Sequence, residues 1–200
     1  MTPRAFSAAE SELIRDRLKD VAREAFGRRG LKATTVEELA RGAGISKGAF
    51  YRFYESKEIL LLELADETEL ALQAEIEETV RADPGRGLEI MLDGAVNIGE
   101  RSPLIPVLMS PEGLHVLLSR TVEEQQAFLD RDAQLVERVM GLLREAGSTV
   151  EIPEKALLGL LRSLVFVGQH RAEIGEDLVD AATAWMVGQL QASLRRTEGE

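Results

Sequence analysis

Apolar residues recur at three- and four-residue intervals through most of the chain, a spacing typical of amphipathic helices. The first such segment begins at Ser7, which stands three residues before Glu10 in the spacing of a capping box. Gly30 predicts its C-terminal stop, so we expect a helix that runs through about Arg28. The apolar face of this helix comprises Leu13, Ile14, Leu18, Val21, Ala22, Ala25 and Phe26.

The same intervals predict a long helix from Ser56 to about Ala82, which the sequence Asp83-Pro84-Gly85 ends. Shorter helices follow, and several of them open with a polar N-cap residue or a proline. We expect these at about residues 87–100, 110–119, 121–146, 152–172 and 176–194. The total is about nine helices with no convincing strand, and the residues from Arg195 onward look frayed. The expected fold class is all-α.

Residues 34–57, TTVEELARGAGISKGAFYRFYESK, predict two short helices joined by a tight turn. Thr35 and Glu38 have capping-box spacing, which predicts the start of the first helix. Gly44 tolerates a positive φ where that helix must stop, and Ser46 is a good N-cap for the second. The pattern is that of a helix-turn-helix.

The second of these helices, Lys47 to Phe53, is unusual for a core helix because its first turn is slim and basic. Lys47 supplies a cation, and Gly48 and Ala49 add little bulk behind it. The recognition helix of a helix-turn-helix reads base edges in the major groove with its N-terminal residues. This stretch therefore predicts contact with double-stranded DNA.

The helix pair and its flanks carry a dense set of residues that match the signature of a known protein family. They are Phe26, Gly30, Thr35, Ala40, Ala43-Gly44-Ile45-Ser46, Gly48, Phe50-Tyr51, Tyr54 and Ser56-Lys57. This set closely resembles the DNA-binding domain of the TetR/AcrR family of bacterial repressors. The resemblance covers about the first 60 residues, and beyond them it extends to architecture only. It implies a three-helix DNA-binding domain at residues 1–55 and an effector-binding and dimerisation domain at residues 56–200.

We expect a group of eight residues to contact DNA, seven of them at family contact positions and Gly48 because of its small size. The group is Thr35, Ser46, Lys47, Gly48, Ala49, Tyr51, Phe53 and Lys57. Lys47 suits guanine O6 and N7, whereas Gly48 and Ala49 suit the methyl groups of thymine. Thr35, Tyr51 and Lys57 are expected to contact phosphates.

Other interpretations compete at several of these positions. Phe50 and Tyr54 are expected in the core of the domain, and Arg52 is as easily a solvated side chain as a DNA contact. Glu37 stands where some relatives place a DNA-contacting residue, and its carboxylate would repel phosphate unless it accepts from a cytosine N4. Phe53 replaces a histidine often found in the family, so the operator sequence cannot be deduced.

The charge of the chain is divided unevenly. The net charge is −11, with +3 on residues 1–60 and −14 on residues 61–200. The acidic part has a simple interpretation as a solvated surface. A basic first domain followed by an acidic one would also help to orient the protein on a polyanion.

Composition and motifs bear on location and on catalysis. The sequence has no cysteine, no apolar run long enough for a membrane span and no signal-peptide core, so we expect a cytoplasmic protein without a membrane partner. P-loop, GxGxxG and HExxH patterns are absent. A metal site could draw only on His115, His170 and carboxylates, and we expect no metal, no cofactor and no enzymatic activity.

The larger domain is expected to bind an unknown small-molecule effector in a mostly apolar pocket. The candidate lining residues are Met91, Leu108, Met109, Phe128, Phe166, His170 and Trp185. Additional polar candidates are Asn97, His115, Gln169 and Arg171. For each of them ordinary packing is the alternative interpretation.

The last two long helices carry small residues on their apolar faces: Gly159, Ser163, Gly168, Ala181, Ala184, Gly188 and Ala192. These faces could form a homodimer interface or pack within one chain, and the family resemblance favours the homodimer. The resulting hypothesis is a repressor that a small molecule releases from a palindromic operator. A helical enzyme and a protein-interaction scaffold that retains a helix-turn-helix are the alternatives.

Overall fold

The computed structural model describes residues 6–150, 152–192 and 194–196 of the 200-residue chain. The all-α fold class is confirmed over these residues, which form twelve α-helices. The described helices are α1 (Ala8–Ala33), α2 (Val36–Gly42), α3 (Lys47–Phe50), α4 (Lys57–Ala82), α5 (Gly87–Val96), α6 (Ile98–Arg101), α7 (Ile105–Met109), α8 (Pro111–Leu118), α9 (Val122–Glu145), α10 (Glu154–Gln169), α11 (Arg171–Ile174) and α12 (Glu176–Ala192).

This number exceeds the expected nine or so because two predicted helices are each broken by a single residue and because the short helix α7 adds one more. Asn97 separates α5 from α6, and His170 separates α10 from α11. Their ψ angles of 16° and 24° interrupt the regular helical backbone. The apolar spacing continues through both breaks, so sequence periodicity did not reveal them.

The predicted helix starts are confirmed in detail. Capping boxes with both reciprocal hydrogen bonds open α1 at Ser7, α2 at Thr35 and α9 at Thr121. Ser110 caps α8 ahead of Pro111, as its sequence indicated. Because each cap satisfies amide groups that have no partner inside their helix, short-range chemistry fixed these boundaries.

The chain forms two compact units, which we call unit 1 and unit 2. Unit 1 contains the described residues up to Thr68 together with Pro103–Ser119, and unit 2 contains Glu69–Ser102 and the described residues from Arg120 onward. This division differs from the expected boundary after residue 55, because α7 and α8 group with the N-terminal helices and α4 contributes to both units.

Unit 1 is organised around α1, which packs against α2, α7 and α8. Its predicted apolar face is largely buried, and Leu18, Ala22 and Phe26 are fully buried. Leu13 was wrongly placed on that face, since its side chain is 51% exposed. Periodicity alone could not separate Leu13 from the buried Ile14 beside it.

Unit 2 has two apolar clusters. One joins α5, α9 and α10 around Leu88, Val139 and Leu157, and the other joins α5, α10 and α12 around Leu92 and Leu164. The second cluster includes a very close helix contact at Gly168. A Cβ atom built there would lie 1.9 Å from the carbonyl oxygen of Val96, so only glycine fits without a shift of the backbone.

The expectation of no strand was wrong for one short feature of unit 2. Strands β1 (Ser148–Val150) and β2 (Leu194–Arg196) pair antiparallel, with Thr149 opposite Arg195. The frayed end expected from Arg195 onward is therefore paired as far as Arg196, and residues 197–200 lie outside the described residues. Three-residue strands are too short to give a periodic signal.

None of the helices in the described part of the chain combines the length and apolar character that a membrane crossing requires.

Candidate nucleic-acid interface

The helix-turn-helix of unit 1 forms where its sequence predicts, except that α3 ends at Phe50 and not at Phe53. Between α2 and α3 the chain turns at Gly44, whose φ of 75° lies in the left-handed region that favours glycine. The amide of Ile45 donates to the Ala40 carbonyl oxygen at 2.9 Å and closes the end of α2. Ser46 then caps α3, because its hydroxyl accepts from the Ala49 amide at 3.2 Å.

Aromatic side chains fix α3 against the rest of unit 1. Phe50 is fully buried and Tyr54 nearly so, which confirms that both belong to the core. Their ring centroids are 6.0 Å apart, and burial raises the pKa of Tyr54 to about 12. Tyr51 points away from this core and is 50% exposed, with its ring edge-on to Phe50. Phe50 and Tyr54 therefore anchor α3 in the core, whereas Tyr51 belongs to an accessible surface.

The expected DNA contacts occupy an accessible face of unit 1. Four of them, Thr35, Lys47, Tyr51 and Lys57, line one open depression of about 260 Å³. Ser46 and Gly48 are also exposed, and Ala49 is half-buried. A Cβ atom built on Gly48 would meet no atom within 4 Å, so the first turn of α3 is open to an incoming surface.

Lys47 does not stand alone at this face. Its Nζ forms an ion pair with Oε1 of Glu37 from the first turn of α2, and the two side chains are 51% and 56% exposed. The hydrogen bond to Glu37 raises the pKa of Lys47 and lowers the pKa of Glu37. Sequence reasoning treated the carboxylate as an isolated departure from the family pattern. In the structure, however, the Glu37 carboxylate lies against Lys47, the cation that is expected to read bases.

Lys57 has a structural role beside its expected phosphate contact. Its Nζ donates to the carbonyl oxygens of Leu31 and Thr34, both at 2.7 Å. These carbonyl groups lie at the end of α1, where backbone acceptors lack helical partners. An ammonium group has three donors, so one of them is left for a phosphate.

Phe53 packs beside a cluster that sequence reasoning did not find. Its ring centroid is 5.8 Å from that of Phe6, and the guanidinium of Arg15 lies 5.8 Å from the Phe53 centroid. Arg52 covers the other aromatic ring, at 5.0 Å from the centroid of Phe6. Phe6 precedes the first periodic segment, so the helical pattern gave no signal for it.

The candidate effector residues are dispersed. Leu108 and Met109 belong to unit 1, and the other five belong to unit 2. Met91 is buried in an apolar cluster, whereas His170 is exposed. Phe128 lies beneath the guanidinium groups of Arg120 and Arg131, each 5.6 Å from its ring centroid.

Phe166 and Trp185 are 51% and 66% exposed, on α10 and α12. Neither side chain is enclosed by other residues of unit 2. Their exposure fits the predicted subunit interface better than the predicted pocket.

The structure brings two of the additional polar candidates together. Arg171 donates to Oδ1 of Asn97 at 2.8 Å and to Asp180 at 2.6 Å. These three residues line an open groove of about 480 Å³ in unit 2, with Val96 and Val187 as apolar neighbours. The groove has the mixed lining that small-molecule sites use.

Unit 2 also holds a partly buried polar network that sequence reasoning missed. Glu69 on α4 accepts from Arg131 at 2.6 Å and from Gln73 at 3.2 Å. Asp132 accepts from Arg162 at 3.1 Å, and burial still raises the pKa of this carboxyl group. The acidic residues of α4 had been interpreted as a solvated face, and the arginine that pairs with Glu69 lies 62 residues away in the chain.

Comparison with known proteins agrees with this geometry. Residues 18–64 match the family model of the bacterial regulatory proteins of the tetR family. The transcriptional repressor KstR2 of Rhodococcus jostii is 44% identical over 50 residues, 25% of this chain and 24% of that protein. The matched segment thus spans about a quarter of that relative's length.

Solved structures resemble the fold over nearly the whole chain. A TetR-family transcriptional regulator from Pectobacterium atrosepticum matches with a TM-score of 0.69 and 22% identity, covering 94% of this chain and 95% of that one. SmeT, the repressor of a Stenotrophomonas maltophilia multidrug efflux pump, matches with a TM-score of 0.58 and 24% identity, covering 90% of both chains. The helix-turn-helix thus matches the model of the tetR family, and the fold is shared with solved structures of regulators of that family.

Proposed function

We propose that the protein is a sequence-specific DNA-binding transcriptional repressor that a small molecule releases from a palindromic operator. The observation that carries the proposal is the accessible first turn of α3. There Lys47 and Gly48 are exposed and Ala49 is half-buried, while Phe50 anchors the helix in the core. A helix held in this way can enter the major groove without disturbing its own core.

Repression is supported by the relatives. KstR2 and SmeT are both described as repressors. The proposal gives the protein no catalytic step, since transcriptional regulators act by occupying DNA. It also places the protein in the bacterial cytoplasm, where its DNA partner is.

Effector binding is supported by unit 2. SmeT has been solved as a complex with triclosan, and its fold matches this chain with a TM-score of 0.55. In this protein, the groove beside Arg171 combines a guanidinium, an amide and apolar side chains. A ligand there relieves repression only if it favours a conformation that does not bind DNA.

A homodimer formed by α10 and α12 is supported by exposed apolar side chains. Phe166, Leu178 and Trp185 are each more than half exposed on these two helices. Gly159, Ser163, Ala184 and Gly188 are exposed beside them in the sequence and permit close approach of a second helix pair. Gly168 does not belong to this surface, because it packs against α5.

The experiment that tests the proposal is selection of bound sites from a random DNA pool by the purified protein at near-physiological salt. We expect a palindromic consensus whose half-sites lie about one DNA turn (~34–36 Å), or a multiple of it, apart. The same selection is repeated after denaturation and refolding, which removes any co-purified ligand. If no site is enriched in either experiment, DNA-binding repression is refuted and the protein-interaction scaffold is favoured.

A further inference from the structure

The ion pair between Glu37 and Lys47 joins the first turns of the two helices of the helix-turn-helix. The residues are ten positions apart, and both side chains line the depression that also holds Thr35 and Tyr51. Each side chain is about half exposed, so a DNA surface can reach both charged groups. The neighbouring Glu38 faces differently, because it is engaged by Arg29 and by the Thr35 amide.

We propose that Glu37 is a specificity-determining residue and that, together with Lys47, it reads a single G·C base pair in the major groove. This inference rests on the proposed function. Lys47 donates to guanine O6 and N7, and the Glu37 carboxylate accepts from the N4 amino group of the paired cytosine.

The chemistry of the base pair matches the pair of side chains. Across its major-groove edge, G·C presents two acceptors on guanine followed by one amino donor on cytosine. An ammonium group offers only donors, and an ionised carboxylate offers only acceptors. An ammonium group in contact with a carboxylate is therefore complementary to this edge, since its donors face the two guanine acceptors and the carboxylate faces the cytosine amino group. Three hydrogen bonds can form.

An A·T pair fits less well. Its edge alternates acceptor, donor and acceptor before the thymine methyl group. The ammonium then meets one acceptor where guanine offers two adjacent ones, and one hydrogen bond is lost. Discrimination by a good bidentate contact corresponds to roughly 5- to 100-fold in affinity.

The ion pair also answers the objection that a carboxylate repels phosphate. Lys47 neutralises Glu37 within unit 1, so no uncompensated anion approaches the DNA. The contact equally holds Lys47 away from non-specific phosphate binding. Glu37 is thus expected to weaken binding to unrelated DNA while it sharpens the choice of one base pair.

The test compares the wild type with Glu37→Gln, using site selection and binding to unrelated DNA over a range of salt concentrations. We expect the variant to lose the G·C preference at one position of each half-site, and glutamine to favour adenine there instead. Its affinity for unrelated DNA should rise several-fold. The log–log salt slope should steepen by about one as Lys47 becomes free for a phosphate.

A matched control is Glu55→Gln, which removes the same charge from the same depression. On the described surface Glu55 lines this depression but makes no ion pair with Lys47. Its variant should keep the wild-type consensus. Circular dichroism of all three proteins establishes equal folding, which the exposure of Glu37 leads us to expect.

The outcomes distinguish failure of this inference from failure of the proposed function. A wild-type consensus that Glu37→Gln leaves unchanged overturns the inference alone, and so does loss of the same base preference in Glu55→Gln. A wild-type protein that selects no site overturns the proposed function itself.

Discussion

Polar residues that look equivalent in the sequence of unit 1 have different roles in its structure. Ser46, Lys47 and Lys57 are all polar residues expected to contact DNA, yet Ser46 caps a helix and Lys57 binds two carbonyl oxygens. Only Lys47 has its charged group directed to another exposed side chain. The residue types could be predicted from the sequence, whereas their partners required the fold.

Replacing Lys57 by methionine tests the structural part of its role. The aliphatic stem is kept, but the carbonyl oxygens of Leu31 and Thr34 lose a charged donor. Hydrogen bonds to charged groups contribute about 1.5–3 kcal/mol, so the free energy of unfolding in urea should fall by up to that amount. Unchanged stability combined with a shallower salt slope for DNA binding would show that Lys57 acts mainly on phosphate.

Tyr51 is expected to anchor the protein on the DNA backbone without reading sequence. Tyr51→Phe keeps the ring beside Phe50 and removes only the hydroxyl group. Because a hydrogen bond to a charged phosphate is lost, we expect binding to weaken roughly tenfold on all DNA sequences alike. Electrophoretic mobility shifts with operator and with unrelated DNA measure the two affinities. A loss of affinity for only one of these DNAs would contradict the proposed backbone contact of Tyr51.

The capping box of α2 makes the stability of unit 1 depend on pH. The Thr35 amide, followed by Arg29, lowers the pKa of Glu38 from 4.5 to about 2. A carboxylate whose pKa is lowered by folding stabilises the native state above its unfolded pKa. That stabilisation is lost as the pH falls from about 4.5 to about 2.

Glu38→Gln should therefore be less stable than the wild type at pH 7, and the difference should vanish towards pH 2. Thermal unfolding of the two proteins across this pH range is the measurement. A difference that stays constant with pH would mean that the charge of Glu38 contributes nothing. Glutamine can still complete a capping box, so the helix start itself is preserved in this comparison.

At the scale of the helix, local chemistry predicted more than periodicity did. The starts of α1, α2, α8 and α9 were each predicted by two or three residues next to one another in sequence. Such signals survive folding because the cap and its amides are neighbours. The pairing of β1 with β2 joins distant segments, and neither this pairing nor the breaks at Asn97 and His170 could be predicted from residue spacing.

The contact of α10 with α5 at Gly168 allows a sharp test. Gly168→Ala would force a methyl group against the carbonyl oxygen of Val96, a backbone atom that cannot rotate away. Overpacking of this kind costs about 1–3 kcal/mol or more, so we expect a clear loss of stability in urea unfolding.

Gly141→Ala in α9 is the matched control, since a Cβ atom there would meet nothing within 4 Å. Replacing a helical glycine by alanine favours the helix by up to about 1 kcal/mol, so this variant should be slightly more stable. Equal effects of the two substitutions would refute the close contact of α10 with α5.

For the whole molecule, the family signature covers only about the first 60 residues and carries no information on how the later helices group. Helices α7 and α8 follow unit 2 segments in sequence but belong to unit 1 with α1. The dispersed effector candidates show the same limit. Apolar residues such as Phe166 and Met91 look alike in sequence, and only packing shows that one is exposed and the other buried.

The proposed homodimer predicts that one charge on α12 separates the subunits. Trp185→Glu should sediment as a monomer at micromolar concentration and bind a palindromic site roughly 100-fold more weakly, since the second half-site no longer adds avidity. Val122→Glu, at a 77% exposed position on α9, is the control and should remain dimeric. A dimeric Trp185→Glu protein would place the interface elsewhere.

Trp185 has a practical consequence of its own, because it is the single tryptophan of the chain and is 66% exposed. All indole fluorescence of the native protein therefore arises from one site on α12. A free subunit should emit at the long wavelength of indole in water, and burial against a second copy should shift the emission to the blue. Simple dilution would then titrate assembly without a label. Operator DNA or a ligand added to the same cuvette would show whether either one is linked to it.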